Sequence, residues 1–278
     1  NSDHDIQNFP STTPYKEGRL DSYYYKNENS LLENYITYSK NFGLDNFSIL
    51  GGHSYQKIYT QTRHWSINKF ADNGIDPAAN PGLGQLLTYA NNAPGGTAEI
   101  SELQSFFGRF EYSFNSKYLL TATFRADGST KFGDNNKYGY FPSFAAGWIV
   151  SDEEFMKNSP FSNLKVRAGW GKTGNQEIPA KQTKASSTVS VTGTTSYPLD
   201  SSTNYIGGAT YVRLANPNLQ WEVSTQTNVG LDFGLFGGAL SGTVDYFNKE
   251  SSKVLMKVVS VDPIQPAANK YDNVADMR

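Results

Sequence analysis

A short glycine-rich segment, residues 169–174 (GWGKTG), formally matches the fingerprint of dinucleotide-binding proteins. In such a site the glycines let the backbone approach a pyrophosphate, and an amphipathic helix must follow the loop. Here no helical pattern follows, and Pro179 interrupts the chain soon afterwards. The end of a strand is therefore the better interpretation, and we expect the protein to bind no cofactor.

The three consecutive carboxylates of residues 152–154 (DEE) are the clearest candidates for acid–base chemistry. Glycoside hydrolases need two carboxylates that converge on one bond, whereas neighbouring residues of a helical turn diverge. A solvated turn is the simpler interpretation of this segment. His4, His53 and His64 lack the spacing of metal ligands. We therefore expect neither a metal site nor an enzyme.

The composition excludes further classes of protein. The 278 residues include no cysteine and carry a formal net charge of -2 without a cluster of Lys or Arg. Disulfides and thiolate metal sites are thus excluded, and nucleic acid is not an expected partner. No apolar run approaches the length of about 18 residues that a membrane-spanning helix requires. A role in a membrane would therefore require a β-barrel.

Aromatic residues make up 14% of the chain, although its mean hydropathy is polar at -0.54. This combination is typical of strands that are apolar on one face and hydrated on the other. Residues 105–127 show it most clearly, as two alternating runs on either side of a turn near Ser116. Matching their apolar faces places Phe114 opposite Tyr118 and Phe124 opposite Gly108.

A second hairpin is predicted over residues 229–246. Its apolar positions are odd-numbered before the turn and even-numbered after it, so its turn must contain an even number of residues. Gly237 and Gly238 supply a two-residue turn of that parity, because glycine readily adopts positive φ. Phe233 then lies opposite Gly242. Further strands are predicted at 31–41, 47–60, 138–150, 164–171 and about 254–260.

Short and long connections alternate along the chain. The predicted turns near 42–46, 115–117 and 236–239 are tight, whereas segments 61–102 and 173–218 are long and rich in Gly, Pro, Asn, Ser and Thr. An up-and-down barrel in a membrane has short turns on one side and long loops on the other. The predicted fold is therefore all-β: part of an antiparallel up-and-down transmembrane β-barrel. Its two long segments would be extracellular loops.

Several segments resemble the barrel of SusC/RagA-type TonB-dependent outer-membrane transporters and occur in that family's order. The resemblance is densest from about residue 103 to 260. It rests on YLLTATFRADGS (118–129), KYGYFPS (137–143), GW (147–148), LKVRAGWGKTGNQ (164–176), LANPNLQWE (214–222), TNVGLDFG (227–234) and DYFNK (245–249).

The resemblance implies a 22-stranded barrel with an N-terminal plug, of which this sequence would contribute roughly ten strands. It implies import of large nutrients, oligosaccharides or peptides, across the outer membrane of a Gram-negative bacterium of the Bacteroidetes type. It also implies as partners a TonB complex, contacted through an N-terminal part, and a SusD-like surface lipoprotein that acts as a lid. No segment resembles the plug, the TonB box or the closing C-terminal strands, so we expect residues 1–278 to be a part of the barrel.

Two sets of residues are candidates for contact with solute, plug or lid. Charged residues of the polar strand faces are expected to face the lumen, because an Arg or Lys turned to the bilayer midplane costs about 2–4 kcal/mol. They are Arg109, Glu111, Arg125, Asp127, Lys165, Arg167, Asp232 and Asp245. Loop aromatics that could stack on a ligand or meet the lid are Tyr197, Tyr205, Tyr211 and Trp221. Packing within the loops explains these aromatics equally well, and a hydrated lumen that merely tolerates charge is the alternative for the charged residues.

Two other classes of protein remain compatible with the alternating pattern. A secreted soluble β-sandwich that binds carbohydrate has the same alternation, with its apolar faces packed against each other rather than against lipid. The predicted strands of about eleven residues favour the barrel, because strands of soluble proteins usually have about 5–6. A β-rich glycoside hydrolase would need a convergent carboxylate pair, and the sequence offers none.

Overall fold

Twelve β-strands, rather than the roughly ten expected, form one sheet in a computed structural model. The structure describes residues 2–7, 18–70, 76–85, 94–190, 208–259 and 269–278. The strands are β1 (Ser2–Gln7), β2 (Gly18–Phe42), β3 (Asp45–Phe70), β4 (Gly95–Phe114), β5 (Tyr118–Ser129), β6 (Tyr138–Ile149), β7 (Phe161–Asn175), β8 (Ser186–Ser190), β9 (Gly208–Arg213), β10 (Glu222–Leu235), β11 (Leu240–Val259) and β12 (Asn269–Met277).

The order of the strands in the sheet is β1-β2-β3-β4-β5-β6-β7-β10-β11-β12-β9-β8. From β4 to β7, and again from β10 to β12, strands that follow each other in sequence pair antiparallel. This is the up-and-down pattern predicted from the sequence. No helix in the described ranges is long and apolar enough to cross a membrane.

The chain divides into two compact units, Asn1–Ser30 with Gln56–Ser101, and Leu31–Tyr55 with Glu102–Arg278. In the first unit, β1 pairs antiparallel with β2, and Thr62 and Thr97 share a hydrogen bond of 2.9 Å. The second unit contains all eight candidate lumen residues and both predicted hairpins. The functional surface is therefore described within that unit.

Both hairpins have the predicted register. Phe114 pairs with Tyr118 and Gly108 with Phe124 in the first, and Phe233 pairs with Gly242 in the second. Gly237 and Gly238 have φ of 68° and 92°, in the left-handed region that glycine tolerates. The parity of the apolar positions, together with the position of the turn residues, predicted both registers correctly.

The two segments predicted as long loops contain strand residues that the sequence pattern did not predict. β3 continues to Phe70 and β4 begins at Gly95, so strand structure covers both ends of the segment 61–102. The segment 173–218 contains the end of β7 and the whole of β8 and β9. Residues 254–259 continue β11 rather than forming a separate strand. Polar strand extensions pair through their backbones without an apolar alternation, which is why the pattern did not reveal them.

The tight connections lie at one end of the second unit's sheet. The amide of Asn115 donates to the carbonyl of Leu44 at 2.7 Å, the amide of Ile149 to Lys117 at 2.8 Å, and the amide of Phe236 to Pro160 at 3.1 Å. These bonds join neighbouring short turns side by side. The described connections 130–137, 176–185 and 214–221 lie at the opposite strand ends.

Candidate functional site

All eight predicted lumen residues lie on one face of the sheet. The strand registers place on this face the odd-numbered residues of β4, β5, β6 and β7, the even-numbered residues of β10 and the odd-numbered residues of β11 that pair with β10. We call this side of the sheet the charged face. The register therefore brings together residues that are as far apart in sequence as Arg109 and Asp245.

An ion network centred on Arg167 joins three strands of the charged face. The Arg167 guanidinium on β7 donates to both carboxylate oxygens of Asp232 on β10, at 2.8 and 2.9 Å. It also donates to Asp245 on β11, at 3.0 Å. Thr243 donates its hydroxyl to Asp232 at 3.0 Å. The two-pronged contact is the geometry in which an Arg–carboxylate pair is strongest.

Gly230 provides the space that this network needs. It pairs with Arg167 on one side and with Asp245 on the other, so the guanidinium passes over it. A Cβ atom at this position would lie 2.8 Å from Arg167 Cζ and would also clash with the Asp245 carboxylate. The glycine is thus required by a close approach of side chains.

A second pair on the charged face joins Arg125 to Asp127. The Arg125 Nε lies 2.7 and 2.9 Å from the two carboxylate oxygens of Asp127, and its Nη2 donates to the Ser105 hydroxyl at 2.9 Å. Asp127 and Ser105 are both buried. Arg109 pairs with Glu111 along the same strand, β4. Charges of both signs thus neutralise one another along the charged face.

The opposite face of the sheet carries large apolar side chains that nothing covers among the described residues. We call it the apolar face. On its strands no Asp, Glu, Lys or Arg interrupts the even positions from Phe106 to Phe114, or from Tyr118 to Ala126. Its exposed members include Phe106, Phe110, Leu120, Phe124, Tyr140, Phe144, Val229, Val244 and Tyr246. A β-sandwich would bury these rings against a second sheet, and the described residues provide no such sheet.

Aromatic rings line the apolar face beside the short turns. The rings of Phe114, Tyr118 and Trp148 stack in a row, with centroids 6.2 and 6.3 Å apart. Glu153, in the connection after β6, accepts hydrogen bonds from the Tyr118 hydroxyl at 2.7 Å and the Trp148 indole at 3.1 Å. The Lys117 ammonium lies 3.4 Å from the same carboxylate.

The prediction of a solvated turn at residues 152–154 was therefore wrong for Glu153. The hydrogen bonds from Tyr118 and Trp148, together with the nearby Lys117 charge, hold the pKa of the Glu153 carboxyl below its ordinary value. Glu154 points away and pairs only with Lys157, at 2.7 Å. The adjacent acids thus diverge as predicted, but one of them fixes the aromatic row.

A small buried cluster lies at the end of the second unit opposite the short turns. Its members are Phe132, Phe141, Ile178, Leu219 and Trp221, contributed by three connections and by β6. Trp221 is only 5% exposed, and its indole donates to the carbonyl of Lys137 at 2.9 Å. Of the two interpretations of Trp221, loop packing rather than contact with a ligand or lid fits the structure, because its ring is packed between Phe132 and Phe141.

Asparagine side chains hold the segment 214–221 in place, a role that sequence reasoning missed. Asn216 donates to the carbonyl of Tyr271 at 2.7 Å, and Asn273 donates to the carbonyls of Gln220 and Lys253 at 2.9 and 2.7 Å. Asn is frequent in exposed turns, so its frequency alone does not distinguish a clasp from a loop. In the sequence, only the motif LANPNLQW indicated that residues 214–221 are ordered.

The other loop aromatics have different outcomes. Tyr211, on β9, is 47% exposed and so accessible to a ligand or partner. Tyr197 and Tyr205 lie outside the residues that the structure describes. Across those described ranges, no three His, Asp or Glu side chains come together as a metal site.

Comparison with known proteins identifies the family. The model of the TonB dependent receptor-like β-barrel family matches residues 1–278. The chain belongs to this family. Its strands, charged face and exposed apolar face are thus those of a TonB-dependent receptor barrel, and the resemblance to SusC/RagA-type receptors is confirmed.

Two curated relatives of this receptor barrel come from different bacteria. TonB-dependent receptor P3 of Formosa agariphila is 37% identical over 84% of the chain, and TonB-dependent receptor SusC of Bacteroides thetaiotaomicron is 32% identical over 81%. The chain spans only 22% and 21% of these relatives. Relatives of this kind are receptors and transporters rather than enzymes.

Among solved structures, the receptor barrel is similar to a chain of the RagAB peptide transporter. The TM-score is 0.81 at 25% identity, over 99% of this chain and 29% of that chain. The same transporter in its "open-open" state gives a TM-score of 0.79. The strand arrangement of this receptor barrel is thus that of a known transporter wall.

Proposed function

We propose that the chain forms part of the wall of an outer-membrane transporter that imports large nutrients into the periplasm. The observation that carries the proposal is the division of one sheet into a charged, ion-paired face and a face that exposes aromatic rings and has no charge from Phe106 to Phe114 or from Tyr118 to Ala126. The charged face lines a hydrated lumen, and the apolar face contacts lipid. Such a wall performs no covalent chemistry, and the protein acts by capturing and releasing its solute.

The dimensions of the apolar face support this placement. Tyr118 lies in the aromatic row near the short turns, and the exposed Tyr138 ring lies over Gly128, ten positions further along β5. Ten residues of strand extend over about 33 Å, which at a tilt of about 45° spans about 23 Å. This is close to the apolar band of about 25 Å, flanked by aromatic girdles, that outer-membrane barrels present to lipid.

The solute is an oligosaccharide or a peptide, and a SusD-like surface lipoprotein covers the outer end of the lumen. The similarity to SusC and to the RagAB peptide transporter supports these two finer assignments. Energy for import comes from a TonB complex, in keeping with the family. The eight residues of the charged face contact the solute or the plug, and Tyr211 contacts the solute or the lid.

Gene deletion tests the function. A strain that lacks the full-length gene is grown on a panel of single nutrients, each an oligosaccharide digest or a peptide mixture, beside a strain without functional TonB. We expect both strains to lose growth on the same nutrient, and restoring the gene to restore growth. Unchanged growth of the deletion strain on every nutrient that requires TonB would contradict import.

Cell fractionation separates the barrel from the β-sandwich that binds carbohydrate. The full-length transporter is expected in the outer-membrane fraction, from which only detergent releases it, together with a lipoprotein that copurifies. Recovery of the full-length protein from a soluble fraction without detergent would favour the β-sandwich instead.

A further inference from the structure

A cavity of about 270 Å³ lies at the end of the second unit that carries the long connections. It is bordered by β9, the far end of β11, the start of β12 and the segment after β7. Six polar residues among those that line it are Gln182, Arg213, Lys257, Asn269, Lys270 and Tyr271. None of the eight candidate lumen residues lines it.

Positive charge around this cavity exceeds negative charge. Lys270 pairs with Asp272 at 2.8 Å, so these two charges cancel. Arg213 donates only to neutral acceptors, the carbonyl of Lys184 at 2.9 Å and the side-chain oxygen of Gln182 at 3.3 Å. Lys257 is exposed and has no ion pair within the described ranges. Two cations thus face the cavity without a carboxylate partner from that part of the chain.

Fold stabilisation accounts for part of this arrangement. Arg213 joins β9 to the segment around Lys184, and its backbone is held at the start of β12, where Leu214 donates its amide to the carbonyl of Asn269 at 3.0 Å. Lys257 makes no comparable bond to a residue that the structure describes, so contacts within that part of the chain do not explain its position. The Nη2 amino group of Arg213 makes no bond to a described residue and is free to donate.

We infer that this cavity binds a carboxylate group carried by the imported ligand. Lys257 and the Nη2 group of Arg213 supply charge-assisted donors, which bind carboxylates more strongly than neutral donors do. The volume is below the about 300 Å³ at which pockets for whole small molecules begin, so it accommodates one unit of a longer ligand. The inference deepens the proposed import function and rests on it for the ligand's role.

The carboxylate has two possible sources, which share this chemistry: an acidic sugar and the C-terminus of a peptide. Binding is measured by calorimetry on the purified full-length protein in detergent. The probes are tri-galacturonic acid beside neutral galactotriose, and a tripeptide with a free C-terminus beside the same peptide amidated. We expect one acid to bind about ten-fold more tightly than its neutral counterpart, as one charge-assisted hydrogen bond provides.

Substitutions at two lysines show whether the cavity causes the preference for the acid. Lys257→Gln is expected to remove most of the preference for the acid, and Lys257→Arg to retain it. Lys157→Gln, which removes the same charge from the connection between β6 and β7 outside the cavity, is the control and is expected to leave the preference unchanged. Both variants keep Arg213 and therefore its bonds to the fold.

Two results would each overturn the proposed site. One is that the acids bind no more tightly than their neutral counterparts, and the other is that the Lys257→Gln and Lys157→Gln proteins have the same preference. The measurement needs neither TonB nor transport. A failure of the import function in the growth experiment is therefore distinguishable from a failure of this site.

Discussion

Arg167 reaches two carboxylates on two other strands because a glycine stands between them. The guanidinium crosses Gly230 on β10 to contact Asp232 and Asp245. Sequence reasoning placed all three charged residues on one face, since parity along a strand determines its face. It did not reveal that Arg167 pairs with both carboxylates, because this depends on the register between β7 and β10, which no hairpin turn fixes.

Gly230→Ala is expected to break this network. The added Cβ would occupy the space of the guanidinium, so Asp232 and Asp245 would lose their shared partner and the barrel would unfold at lower denaturant concentration. Gly108→Ala is the matched control, because its Cβ would meet only the Leu50 carbonyl at an ordinary 3.7 Å. Denaturant unfolding of the full-length protein measures both variants, and equal midpoints would contradict the close approach.

Glu153→Gln is expected to loosen the connection after β6 at neutral pH. Folding lowers the pKa of this carboxyl from its ordinary 4.5, so the ionised form stabilises the folded connection at higher pH. That stabilisation is lost as the pH falls through the lowered pKa. Hydrogen exchange of residues 150–160 should therefore differ between wild type and variant at pH 7 and converge in acid.

Glu154→Gln provides the comparison for this residue. Its carboxylate is 82% exposed and has only a surface ion pair with Lys157, of a kind that contributes little. Its exchange is expected to resemble that of the wild type at both pH values. An equal effect of the two substitutions would mean that the bonds from Tyr118 and Trp148 do not hold the connection.

Among the elements, the central hairpins and the loop clusters differ in how far the sequence reveals them. The hairpin β4–β5 follows from its alternation, because a shift by one residue would turn every ring to the wrong face. The cluster around Leu219 and Trp221 brings together connections that are far apart in sequence. Nothing local in those connections indicates that they pack together, so the sequence left both ligand contact and loop packing open for Trp221.

Leu219→Ala tests whether the cluster holds the segment 214–221. Leu219 is 0% exposed, and removing such a buried side chain typically costs about 2–5 kcal/mol. We expect faster hydrogen exchange throughout that segment. Tyr211→Ala, which removes an exposed ring nearby, should leave the segment protected. Unchanged protection in Leu219→Ala would contradict a structural role for the cluster.

At the scale of the whole molecule, the account depends on which solvent meets each face of the sheet. Alternation predicted that one face is apolar, but the same alternation occurs in a β-sandwich. Phe124 is 52% exposed and Tyr140 is 60% exposed, so no protein layer formed by the described residues covers these rings. The proposed function assigns this face to lipid and the charged face to water.

Site-directed spin labelling of neighbouring positions on β5 measures this directly. The chain has no cysteine, so Phe124→Cys and Thr123→Cys each introduce a single labelling site within it. In the full-length protein reconstituted in lipid vesicles, the label at 124 is expected to be accessible to oxygen dissolved in the bilayer and shielded from a water-soluble nickel chelate. The label at 123 should be shielded from bilayer oxygen. Access of the nickel chelate to position 124, or the same accessibility at both positions, would contradict a membrane-spanning wall.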